Sequence, residues 1–171
     1  MAPIRIYWDP IWIGAMTENS QNPAVLLDRV RQLLDEGKPE KAVDVLHRIG
    51  SDSPVIRNAY AVCLMRMGET EKAVSVYRRL LLPDDGVVLR DDTPVLFKTN
   101  FATALLMENN LSGCIGILND MKDEQAPSVK RLRNALTRWR KSVGWWRWLL
   151  VARFGMSPAR PVPMDFAPGE V

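Results

Sequence analysis

The sequence predicts an all-α fold of about three helical hairpins in a row, followed by C-terminal capping helices. Three observations carry this expectation. The stretch PAVLLDRVRQLLDEGKPEKAVDVLHRI is followed by PVIRNAYAVCLMRMGETEKAVSVYRRL and then by VLFKTNFATALLMENNLSGCIGILNDM, which align as three copies of one pattern. Within each copy the apolar residues recur at three- and four-residue steps, the period of a helix face. Each copy also has a helix-stopping residue at the same internal place: Gly37, Gly68 and Asn109.

In the first copy Leu26, Val30, Leu33 and Leu34 form the apolar stripe of one helix. Gly37 ends that helix by taking the left-handed conformation. Pro39 suits the first turn of the next helix, where its missing N–H costs nothing. That helix turns Ala42, Val43, Leu46 and Ile49 inward, as the next copy does Ala73, Val74, Tyr77 and Leu80. The small residues Ala42, Ala73 and Cys114 align where paired helices must approach closely. After the third copy, Pro127 and Ser128 open a helix with Val129, Leu132, Leu136, Trp139 and Val143 on one face. A terminal helix is what a repeat array needs to cover its last apolar face. Gly144 separates it from a short final helix, Trp145 to Phe154, and the Pro-rich residues 157–171 are expected to be extended.

These copies resemble tetratricopeptide repeats. The second fits best, with Ala61, Leu64, Gly68, Ala73 and Tyr77 at the family's packing and turn positions. The first has Arg29 where an apolar residue is usual, and the third has Asn109 for Gly and Cys114 for Ala. The offsets, 31 residues from Gly37 to Gly68 and 41 from Gly68 to Asn109, bracket the family period of about 34. Both departures fall between hairpins, where length changes cost little. The resemblance implies a right-handed α-solenoid, and divides the chain into an apolar N-terminal segment (1–22), the three hairpins (23–125), basic Trp-rich capping helices (126–156) and an extended tail (157–171).

Composition narrows the classes of function. Of 171 residues, 47% are apolar and 25% charged, the balance of a globular domain. Two cysteines make no disulfide scaffold, and one histidine leaves little for a His-based metal or catalytic site. The N-terminus is interrupted by Arg5, Asp9 and two prolines, so no signal-peptide core forms. The most membrane-like stretch, Val143 to Met156, contains Arg147 and Arg153 and falls short of the roughly 20 apolar residues of a span. The expected compartment is therefore the cytoplasm, with peripheral membrane attachment as the variant. Charge is uneven: residues 125–164 hold nine Lys and Arg and no acid, and the whole chain is +3, which leaves the remainder at −6.

Few residues suggest chemistry. Cys63 and Cys114 read as small hydrophobes in packing slots, and His47 as a surface residue. Asp84, Asp85, Asp91 and Asp92 lack the alternation and closing Glu of a calcium loop and read as solvated. No phosphate-cradling loop, nucleophile elbow or zinc spacing occurs, so no enzyme activity, metal or cofactor is expected.

Binding is better supported. The resemblance implies a concave groove lined by the first helices, with Leu27, Arg31 and Leu34, then Asn58, Val62, Met65 and Arg66, then Thr99, Thr103, Leu106 and Met107. The Lys/Asn set with which some family members clamp a C-terminal carboxylate is missing, because Leu27 and Arg31 stand at its first positions. An apolar, Met-bearing groove suits adaptable contacts with a peptide or partner helix. The expected function is thus a non-catalytic adaptor or scaffold for another protein. The apolar N-terminal segment, with Ile4, Ile6, Tyr7, Trp8, Ile11 and Trp12, is a candidate to fill the groove of the same molecule or of a neighbour in a homo-oligomer. The alternative is a peripheral protein held on an anionic membrane surface by Arg138, Trp139, Arg140, Trp145, Trp146, Arg147 and Trp148. Nucleic acid ranks last as a partner of that segment. Its tryptophans point several ways around a helix, which favours burial over a binding face.

Overall fold

Seven α-helices and no strand make up the described residues, 23–49, 53–83, 89, 93–121, 124–143, 149 and 161–171, of the computed structural model. They are α1 (Pro23–Asp35), α2 (Pro39–Ile49), α3 (Pro54–Arg66), α4 (Thr70–Leu81), α5 (Val95–Met107), α6 (Leu111–Asp120) and α7 (Pro127–Val143). Pro23, Pro39, Pro54 and Pro127 each stand at the first helical position, where φ is already right and no backbone donor is lost.

The turns after α1, α3 and α5 share one geometry. Gly37, Gly68 and Asn109 have φ of 69°, 79° and 65°. The next residue's N–H in each case reaches back to the helix: Lys38 to Leu33 O at 2.8 Å, Glu69 to Leu64 O at 2.9 Å and Asn110 to Leu105 O at 2.8 Å. This pattern satisfies the last carbonyls and reverses the chain at once. Asn110 then caps α6, its side-chain oxygen accepting from Gly113 N at 3.0 Å.

Each turn folds a helix back on its predecessor, so α1 packs on α2, α3 on α4 and α5 on α6. Ala42, Ala73 and Cys114 are fully buried at these pairings. The odd-numbered helices also touch in order, α1 to α3, α3 to α5 and α5 to α7, while α2 and α4 bridge the odd-numbered helices on either side. This layering explains the two kinds of helix. α4 has neighbours on one side and buries only Ala73, Val74, Tyr77 and Leu81. α5 is enclosed and buries Phe97 and every residue from Thr99 to Leu106. A helix buried on all sides loses its amphipathic signature.

α7 is amphipathic again, burying Val129, Leu132, Ala135, Leu136 and Trp139. Arg133 ties it to the end of α6, donating to Leu118 O at 3.3 Å and to Met121 O. A cation there meets carbonyls that the helix leaves without partners. A single core cluster runs from Leu26 to Trp139 and takes in Val162 from the tail. No helix among the described residues is long and apolar enough to cross a membrane.

The N-terminal residues 1–22, the acids Asp84, Asp85, Asp91 and Asp92, residues 157–160 of the tail and, apart from Leu149, the stretch 145–154 expected to form the final helix lie outside the described residues; Trp145, Trp146, Arg147 and Trp148 are among them.

Candidate functional site

The odd-numbered helices expose a row of side chains that, among the described residues, the chain's own tail covers. Residues 161–171 run without helix or strand from α7 towards α1. Contacts mark the route: Asp165 to Arg138 of α7, Glu170 to Arg131 of α7 and to Asn100 of α5, Pro168 and Gly169 to Arg66 of α3, and Val171 to Arg31 of α1.

The centre of the contact is polar and dry. Asn58 and Asn100 are each only 2% exposed. The Asn100 amide donates to Glu170 O at 2.8 Å, and its oxygen accepts from Glu170 N at 3.0 Å. It therefore pairs with a residue's main chain as a neighbouring β-strand would. The same amide donates to Asn58 Oδ1 at 3.0 Å, which also accepts from Tyr77 Oη at 3.0 Å. Tyr77 is fully buried against Phe101, ring centres 5.8 Å apart, and burial pushes its phenol well above the ordinary range. A neutral Tyr77 hydroxyl and the Asn58 side chain thus fix the orientation of Asn100, and Asn100 spends its remaining donor and its acceptor on the tail backbone.

Beside this pair the tail touches the floor of the groove. Gly169 is buried on Val62 and Met65, and a Cβ built there would lie 2.6 Å from Met65 Cε and 2.9 and 3.0 Å from the two Val62 methyls. Met65 can swing aside, but the branched Val62 cannot. Gly169 also has φ 76°, a conformation that L side chains disfavour by about 1–2 kcal/mol. Space and backbone both demand glycine here. Arg66 spans the same point, donating to Pro168 O at 2.6 Å and Gly169 O at 3.1 Å. Burial pulls its guanidinium pKa down and the Asp35 carboxylate opposes this.

Charge frames the ends. Arg138 holds Asp165 at 2.6 Å, which keeps that carboxyl below its ordinary value, and Arg131 pairs with Glu170. All four side chains are about half exposed or more, so solvent screens both pairs and each contributes little. The Asn100 pairing and the Gly169 fit outweigh them, because Asn100 and Gly169 are buried, and Arg66 adds two hydrogen bonds from a half-buried guanidinium. Arg31 donates to Val171 O at 2.6 and 3.2 Å, and a cleft between Arg31, Leu34, Asp35 and Arg66 borders the tail there.

Of the sequence-derived groove residues, Arg31, Asn58, Val62, Met65 and Arg66 meet the tail, and Leu34, Thr99 and Thr103 border it. The two threonines direct their hydroxyls to their own helix, at Val95 O and Thr99 O. Leu106 is 4% exposed and belongs to the core, with Leu27 and Met107 half-buried against it. Asn100, Arg131, Gly169 and Glu170 were not anticipated. Their signal was the return of acids at Asp165 and Glu170 straight after the long basic run, with a glycine between Pro168 and Glu170.

In the basic Trp segment, Trp139 is 3% exposed and part of the core, while Arg138 and Arg140 are exposed. Cys63 and Cys114 are buried, and loss of hydration pushes both thiols up to about 12, far from nucleophilic. His47 is exposed and tilts against Tyr60, ring centres 5.4 Å apart.

No family model matches this chain, and neither a curated protein nor a solved structure matches it.

Proposed function

We propose that this chain is a right-handed solenoid of three tetratricopeptide-like hairpins capped by α7, and that it acts as a non-catalytic adaptor whose groove binds an extended segment of another protein. One observation carries the reading: the Asn100 side chain pairs with both the N–H and the C=O of Glu170. A helical ligand has those groups bonded internally and could not offer them, so the groove suits an extended main chain. The repeated turn geometry at Gly37, Gly68 and Asn109 supports the repeat assignment.

Selection of random peptides displayed on phage against the full chain carrying Gly169→Val, in which the tail no longer fits the groove, tests this. Adding Arg66→Ala to that chain is expected to weaken the enriched peptides at least about tenfold, since a hydrogen bond from a charged group is worth about 1.5–3 kcal/mol. Circular dichroism of the variant should match the parent. Peptides that bind Arg66→Ala unchanged would put the interaction surface elsewhere.

A further inference from the structure

The tail is more than a cover, because its side chains fit the groove as specifically as its backbone does. Gly169 is required by the Val62 methyls and by its own positive φ. The next residue places a carboxylate on Arg131, and five residues before Glu170 a second carboxylate meets Arg138. These demands act on any chain laid along the same path.

We propose that the groove selects acidic, extended protein segments that carry glycine at the place of Gly169 and a carboxylate directly after it, and that the tail is an internal copy of such a segment which a partner must displace. This rests on the groove reading above and adds to it a ligand chemistry and a form of regulation. The main-chain pairing with Asn100 gives binding without sequence preference, and the glycine and the two arginines supply the preference. Because the tail is tethered, its effective concentration at the groove is high, and a free segment competes at a disadvantage.

The test uses a fluorescent peptide with the sequence of residues 161–171 and the full chain carrying Gly169→Val, in which the tail no longer fits. Fluorescence polarisation should show the peptide binding this variant at least about tenfold more tightly than the parent chain, the factor that about 1.4 kcal/mol supplies. On the same variant, peptides with valine for the glycine, or with lysine for both acids, should each bind at least about tenfold more weakly than the parent peptide. If all three peptides bind alike, the proposed code is wrong while a peptide groove survives. If none binds a variant that keeps its helicity, the code and the groove fall together. If the peptide binds parent and variant equally, the tail is no competitor and the proposal is overturned. Should Gly169→Val lose helicity, Glu170→Lys, a change at an exposed side chain, replaces it with the same comparisons.

Discussion

Tyr77→Ala is expected to lower the unfolding free energy by about 3–5 kcal/mol, the cost of removing a large buried aromatic side chain. Tyr77 is fully buried, packs on Phe101 and donates to Asn58. For a chain of this size the melting temperature should drop by on the order of 10 °C. Tyr77→Phe separates the two contributions. It keeps the ring and removes only the hydroxyl, so a loss of about 1 kcal/mol is expected, with Asn58 Oδ1 still bonded to Asn100. Urea melts of the two variants decide it. If Tyr77→Ala costs no more than Tyr77→Phe, the ring is not packed as described.

Asn100→Ala should release the tail with little loss of helix. The substitution strips Glu170 of partners for its N–H and its C=O and removes one donor from Asn58 Oδ1. Each buried polar group left without a partner costs about 1–3 kcal/mol. The two tail groups escape this by leaving for water, so the cost falls on docking. The docking equilibrium constant is then expected to fall by at least about tenfold, and the undocked fraction to rise accordingly. Thermolysin cleavage near Phe166, half-buried in the docked tail, reads the change, and Asn100→Ala should be cut faster in proportion. Equal cleavage rates would mean that Asn100 does not hold the tail.

The helical character was legible in the sequence because its signals are local. Leu26, Val30, Leu33 and Leu34 fall on one face whatever lies opposite, and Gly37 and Gly68 stop helices by backbone conformation alone. Legibility failed where burial depends on distant parts. α5 is buried on nearly every side and mixes polar with apolar residues around its circumference, so periodicity could not say that Leu106 faces the core while Asn100 faces the tail. The Pro-rich composition of the tail indicated an extended chain and no more. Its docking rests on contacts between residues as far apart as Arg31 and Val171, each of which makes sense only once the hairpins have stacked.

Among the described residues the groove's occupant is the tail, and side-chain composition did not mark it. The apolar N-terminal segment stood out as a candidate occupant because hydrophobic side chains are conspicuous. The observed occupant is held chiefly by its main chain, and main-chain hydrogen bonding leaves no mark on side-chain composition. Charge was the better guide. The basic residues of α7 include Arg131 and Arg138, and both meet acids of the tail. The Trp-rich neighbourhood drew attention to a membrane surface, yet Trp139 packs into the core.

Amide hydrogen exchange at Glu170 in the full chain reads directly whether the tail sits in the groove. Its N–H donates to the buried oxygen of Asn100, so it opens to solvent only when the tail leaves the groove. Exchange slowed by on the order of a hundredfold relative to the free peptide of residues 161–171 is the expected result. Exchange at the rate of the free peptide would mean that the tail does not occupy the groove.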